Sequence, residues 1–216
     1  KGCKLLLDKG HYRDGGFNCW GSFKHSEPCV TGMVLAVLAH FRLGDPRVHD
    51  FAAYLLGQQM QDGGWNCQSY AGATHSSVHT TISVLEALLG YERFSASPSP
   101  RVRAAQARGR EFLLAHRLFR SHRTGRVINP AMTRFSFPPR WHYDVLRALD
   151  YFQDCGAPHD ERLRDAVALV RQRRKANGRW ILQNRYPGKV VFKLEKLGQP
   201  SRWNTPRALR VLKWWG

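Results

Sequence analysis

The chain has 216 residues, of which 43% are apolar, and no apolar run approaches the roughly 20 residues that cross a membrane as a helix. We therefore expect one domain over residues 1–216 and no transmembrane segment. The formal net charge of +18 attracts anions, but it does not choose among nucleic acid, an acidic membrane and a phosphorylated small molecule. Five cysteines are too few for a disulfide scaffold, which favours a reducing, cytoplasmic location.

An internal repeat organises the chain. Residues 14–19, Asp-Gly-Gly-Phe-Asn-Cys, recur at 62–67 as Asp-Gly-Gly-Trp-Asn-Cys. After a two-residue insertion the register resumes, and Cys29 falls on the position of His79. Repeats of about fifty residues are typical of stacked supersecondary units that bury their apolar faces against their neighbours.

Four helical hairpins are predicted in chain order, each pairing an amphipathic outer helix with a more uniformly apolar inner helix. Outer helices include residues 51–56, 112–114 and 167–170, and inner helices are predicted over 30–41, 78–89, 141–152 and about 205–215. Ser26 and Ser76 stand where N-caps belong, and Pro28 is tolerated in a first turn. Residues 95–100 and 120–139 are predicted loops. The fold class is therefore all-α.

Tyr54-Leu55-Leu56, Gln59 and Asp62-Gly63-Gly64-Trp65 resemble the Gln-Trp repeat of the squalene cyclase and protein prenyltransferase superfamily. Its members are α/α toroids, so the resemblance implies a partial or full ring of helical hairpins. With about four hairpins in this chain, N-terminal hairpins would be missing or a second subunit would close the ring. Triterpene cyclases protonate their substrate with an Asp-rich motif, and no adjacent pair of aspartates occurs here. Cyclisation is therefore disfavoured.

The β-subunits of protein prenyltransferases resemble the chain at one further place. They hold zinc through an Asp-x-Cys pair that opens one inner helix and a His that opens the next. Here Glu27-Pro28-Cys29 and His79 stand at those points, with Glu in place of Asp and a shorter interval between Cys and His. The resemblance implies zinc as cofactor and an isoprenoid-like substrate.

The residue types at these positions also suit zinc, which favours thiolate, imidazole and carboxylate ligands. Glu27, Cys29 and His79 supply one of each. His25 and His75 flank the same corners, and either could replace Glu27 or orient the ligands. The alternative is that Cys29 is a buried small apolar residue and His79 a hydrogen-bonded core residue.

Cys19 and Cys67 also occupy matched positions. They are either a second thiol pair or parts of a turn consensus that pack against the next hairpin.

A further candidate opens the third inner helix. His142 and Asp144, on either side of Tyr143, are predicted as catalytic groups, with His142 as general acid or base. The alternative is a helix-cap and packing role. Trp141 and Trp203 either line an apolar cavity or lie in the core.

Two basic segments could bind phosphate through charge-assisted hydrogen bonds, or form solvated faces. They contain Arg117, Arg120, His122, Arg123 and Arg126, and then Arg171, Arg173, Arg174 and Lys175.

The sequence thus favours a zinc-dependent, transferase-like or lyase-like enzyme that acts on an isoprenoid-like or anionic small molecule in a central cavity. The alternative from another class is a basic, non-enzymatic helical-repeat module that binds nucleic acid or another anionic partner.

Overall fold

The computed structural model describes residues 1–20, 22–95, 99–188 and 190–216. Over these ranges the chain forms eight α-helices and no β-strand beyond isolated bridges, which confirms the all-α prediction. Contacts divide the chain into two compact units, Lys1–Leu113 and Leu114–Gly216. One domain over the whole length stays a prediction.

The first unit contains five helices: α1 (Gly2–Gly10), α2 (Pro28–His40), α3 (Arg47–Gly57), α4 (Val78–Phe94) and α5 (Pro100–Ala115), which ends just past the unit's last residue. The predicted inner helices over 30–41 and 78–89 are confirmed as α2 and α4, which pack against each other. The predicted loop at 95–100 is non-helical at Ser95 and Ser99, and residues 96–98 lie outside the described residues.

The two inner helices of this unit differ in burial. Helix α4 is buried on nearly all sides from Val78 to Leu89, as predicted. Helix α2 buries Leu35 and Leu38, but Val37 is 40% exposed. The uniformly apolar pattern of α2 suits a helix buried nearly all round, but α2 packs mainly against α4 and leaves another face accessible.

The second unit contains a 3₁₀ turn (Pro130–Thr133), α6 (Val145–Asp154), a 3₁₀ turn (Glu161–Leu163), α7 (Arg164–Gln172) and α8 (Asn204–Trp215). Helix α6 packs against α8, and α7 contacts both. Helix α6 begins four residues later than the predicted 141, because the Asp144 carboxylate accepts a 2.9 Å hydrogen bond from the Arg147 N–H and so acts as the N-cap.

Three turns between an outer and an inner helix share one backbone arrangement. In each, an N–H donates at 2.9 Å to the carbonyl four residues on: Tyr12 to Gly16, Met60 to Gly64, and Lys175 to Arg179. A glycine with positive φ precedes each acceptor: Gly15 at 83°, Gly63 at 93° and Gly178 at 77°. Glycine reaches this left-handed region without a Cβ clash. The third turn confirms that the repeat returns near the end of the chain.

An aspartate and a serine hold the first two turns to the helices that follow. Asp14 accepts hydrogen bonds from the Ser26 N–H and hydroxyl, both at 2.7 Å, and Asp62 accepts the same two bonds from Ser76. We call each pair an Asp–Ser clamp. The predicted capping role of the two serines is wrong, because their hydroxyls bind these carboxylates while α2 and α4 begin two residues later.

Removing the Ser26 hydroxyl is expected to raise the pKa of Asp14. Burial raises the pKa of that carboxyl, but hydrogen bonds from Ser26 and Gly16 outweigh it and hold the pKa below 3.8. Because the folded pKa is the lower one, the clamp stabilises the protein above the unfolded pKa and loses this contribution as pH falls through the folded pKa.

An NMR titration of the Asp14 carboxyl carbon in Ser26→Ala measures this shift, with the exposed Ser22→Ala as control. An unchanged Asp14 pKa in Ser26→Ala would contradict the clamp.

Candidate functional site: a thiol pair at the start of α2

Two free cysteines, 38 residues apart in sequence, meet at the start of α2. The Sγ atoms of Cys29 and Cys67 lie 2.7 Å apart and share a hydrogen bond. Cys67 Sγ also accepts from the Cys29 N–H at 3.3 Å and from the Thr80 hydroxyl at 3.5 Å. Cys67 is thus the thiol towards which several donors converge.

These contacts separate the protonation of the two thiols. The hydrogen bond with Cys29 lowers the pKa of Cys67, and the Thr80 hydroxyl and the Cys29 N–H act in the same direction. The pKa of Cys29 is raised, first by its hydrogen bond to Cys67 and then by burial. The pair therefore favours one thiolate, on Cys67, beside one neutral thiol, on Cys29.

An acidic side chain borders the pair. Glu27 is the half-buried N-cap residue of α2, and its side chain makes no capping hydrogen bond. Its negative charge raises the pKa of both Cys29 and Cys67, which places the carboxylate within electrostatic reach of the two sulfur atoms. The Glu27 charge therefore acts on both thiols.

Two hydrogen bonds from the second turn explain how Cys67 reaches Cys29. The Ser77 N–H donates to the Trp65 carbonyl at 2.8 Å, and the Cys67 N–H donates to the Thr80 hydroxyl oxygen at 3.4 Å. These bonds fix the turn to the start of α4, and α4 packs against α2. Cys67 therefore comes to the N-terminus of α2.

The predicted metal ligands are only partly brought together. Glu27 and Cys29 share the start of α2, and His79 is the half-buried second residue of α4. Cys67, which the sequence grouped with Cys19, contacts Cys29, whereas Cys19 is exposed. Within the described ranges, no group of three or more His, Cys, Asp or Glu residues is placed to hold a metal ion. The zinc site stays a prediction.

The two alternative histidine ligands have different surroundings. The half-buried His25 ring lies against Tyr70 with centroids 3.6 Å apart, and its buried Nε2 has no hydrogen-bond partner among the described residues. His75 is exposed, and its backbone carbonyl accepts from the Asn66 side chain at 2.7 Å. His25 is thus the one with an unused buried nitrogen.

The predicted catalytic residues His142 and Asp144 lie in the second unit. Asp144 is fully buried and accepts from the Ser136 N–H at 3.0 Å and hydroxyl at 2.6 Å, in addition to capping α6. The His142 ring stacks against Trp141 and Tyr186, with centroids 3.7 and 3.4 Å away. The capping role of Asp144 is observed, and the catalytic role of both residues stays a prediction.

The two tryptophans suggested as cavity or core residues are both accessible. Trp141 is 47% exposed and Trp203 is 44% exposed. Trp203 stacks on Phe137 with centroids 4.6 Å apart. The core alternative is therefore wrong for both.

No protein-family model and no curated protein matches the chain. Among the helices of the described ranges, none has the length and apolar character needed to cross a bilayer.

Proposed function

We propose that the chain is a zinc-dependent enzyme of α/α-toroid architecture that acts on an isoprenoid-like or anionic small molecule. In this proposal Cys29 and Cys67 supply thiolate ligands and Glu27 supplies a carboxylate. The observation that carries it is the 2.7 Å distance between the Sγ atoms of two free cysteines. The acidic side chain of Glu27, at the start of the same helix as Cys29, makes no capping hydrogen bond. The toroid is supported by the recurrence of one turn geometry in three copies.

The residue types of this donor set suit zinc, and the two sulfur atoms, now 2.7 Å apart, would separate to about 3.8 Å to occupy two corners of a tetrahedral site. Thiolates are preferred zinc ligands, and they bind in the deprotonated form. The neighbours of Cys67 lower its pKa and so favour that form. Binding would release the proton that Cys29 holds. When bound in such a site, zinc acts as a Lewis acid or activates a thiolate.

His79 is the proposed further ligand, since the repeat register places it at the position of Cys29 one unit along. His79 is half-buried in the first turn of α4, one residue before Thr80. It therefore lies on the helix to which Cys67 is hydrogen-bonded. His25 is the alternative, because its Nε2 is buried and unpartnered within the described residues.

Elemental analysis of protein purified without an affinity tag or added metal tests the proposal. We expect near-stoichiometric zinc in the natural chain and loss of zinc in Cys29→Ser and Cys67→Ser. Zinc binding contributes roughly 10–16 kcal/mol over about four ligands, so one lost ligand weakens affinity about 100-fold.

Cys19→Ser is the matched control, because Cys19 occupies the repeat position of Cys67 but is exposed. It should retain zinc. Circular dichroism checks that each serine variant is folded. Zinc retained by folded Cys29→Ser and Cys67→Ser, or no zinc in the natural chain, would exclude this site.

A second candidate function is a basic helical-repeat module that binds nucleic acid. It is favoured by the exposed Arg123 and Arg126 in one segment of a chain with net charge +18. Such binding depends strongly on salt, because it releases counterions from the phosphates. No retention on a nucleic-acid column at low salt would count against it.

A further inference from the structure

A cavity of about 450 Å³ in the second unit has a basic lining, separate from the thiol pair. Its residues are Ala115, Arg117, Arg120, Ser121, His122, Gly125 and Asp165. Three side chains of this lining carry or can carry positive charge, against one carboxylate. The cavity is therefore a candidate anion site.

Arg120 is fixed in place before any ligand arrives. Its Nε donates to the Asp165 carboxylate at 2.9 Å, and another guanidinium nitrogen donates to the Gly125 carbonyl at 3.1 Å. The guanidinium also lies over the Phe119 ring, 4.9 Å from its centroid. Asp165 is thereby paired, and the remaining N–H groups of Arg120 are available to a ligand.

Arg117 supplies a positive charge at the cavity that is not paired with a carboxylate among the described residues. Its guanidinium is exposed, and within the described ranges it makes no hydrogen bond or ion pair. The backbone holds it at the cavity in the left-handed region, with φ of 43° at Arg117 and 66° at Leu118. This conformation is costly for residues other than glycine. The Tyr143 hydroxyl fixes it by donating to the Leu118 carbonyl at 2.6 Å.

A tight turn places further basic groups beside the cavity. The Ser121 N–H donates to the Arg126 carbonyl and the Ile128 N–H to the Phe119 carbonyl, at 2.8 and 2.9 Å. The turn exposes His122, whose Nδ1 lies 3.1 Å from the His116 Nε2. That contact orients the imidazole and leaves the His122 Nε2 for a ligand.

We propose that this cavity binds the phosphate group of a small molecule. Two guanidinium groups, an imidazole and a hydroxyl offer more donors than the two oxygens of a carboxylate can accept, whereas phosphates accept many. A volume of about 450 Å³ is sufficient for a compact ligand. The site is independent of the zinc proposed for the first unit.

Isothermal titration with inorganic pyrophosphate in about 0.15 M salt tests this site. We expect binding by the natural chain and a loss of affinity of about tenfold or more in Arg117→Gln, because this variant removes charge-assisted hydrogen-bond donors. His122→Gln should weaken binding in the same direction. The matched control is Arg202→Gln, an exposed arginine of the same unit outside the cavity, which should bind as the natural chain does.

Equal losses in Arg117→Gln and Arg202→Gln would overturn the proposal, because they would indicate diffuse charge attraction. Absence of pyrophosphate binding alongside tight binding of a single-stranded oligonucleotide would overturn it in favour of a nucleic-acid surface. Zinc content of Arg117→Gln should match the natural chain, so failure of this site and failure of the zinc site are distinguishable.

Discussion

Replacing Asp144 with alanine is expected to lower the free energy of unfolding of the second unit by about 3 kcal/mol. The carboxylate caps α6, and loss of a cap costs about 1 kcal/mol. It also accepts from the N–H and hydroxyl of the fully buried Ser136, and leaving buried donors unsatisfied costs about 1–3 kcal/mol more.

Chemical denaturation followed by circular dichroism measures this loss. Asp160→Ala is the matched control, because Asp160 is also an N-cap residue, but it accepts from the N–H two residues on and lies near the surface beside Arg162. Its loss should be about 1 kcal/mol. Similar losses in the two variants would contradict the buried structural role of Asp144.

Gly32→Ala is expected to destabilise the first unit by about 1 kcal/mol, because overpacking of about 2 kcal/mol where α2 and α4 approach closely outweighs the helix preference of alanine, about 1 kcal/mol. A Cβ added there would lie 2.9 Å from the Ser83 carbonyl oxygen and 3.3 Å from the Val84 Cα. Both are backbone atoms of α4, so the helices must separate to relieve the contact. Overpacking of this kind typically costs about 1–3 kcal/mol.

Gly90→Ala, in the same pair of helices, is expected to stabilise the first unit. A Cβ at Gly90 would meet only the Ala39 side chain, at an ordinary 3.8 Å. Alanine is favoured over glycine inside a helix by about 1 kcal/mol, so this variant should gain stability. Thermal melts of the two variants should move in opposite directions. A Gly32→Ala melt at or above that of the natural chain would contradict the close approach.

Long, mainly apolar stretches were sufficient to predict the inner helices α2 and α4, because each stretch is long enough for about three helical turns. Capping was harder to predict. A serine before a helix fits an N-cap, but Ser26 donates its hydrogen bonds to Asp14, twelve residues away. A local sequence pattern does not show whether a serine hydroxyl binds the end of the next helix or a carboxylate that is distant in sequence. Asp144 does cap its helix, because one carboxylate oxygen accepts from the Arg147 N–H while the other accepts from Ser136.

The candidate site was predictable only in part, for the same physical reason. Glu27 and Cys29 lie two residues apart in sequence, so their shared position at the start of α2 follows from the predicted start of that helix. Cys67 looked like a member of a turn consensus. Its contact with Cys29 depends on the bonds that tie the second turn to α4 and on the packing of α4 against α2.

The two Asp–Ser clamps make the same bonds across different spans of chain. The span is 12 residues from Asp14 to Ser26 and 14 residues from Asp62 to Ser76. The same clamp therefore accommodates two additional residues between its ends. The second span contains Cys67 and Tyr70, so one member of the thiol pair lies in the segment whose length differs between the two repeats.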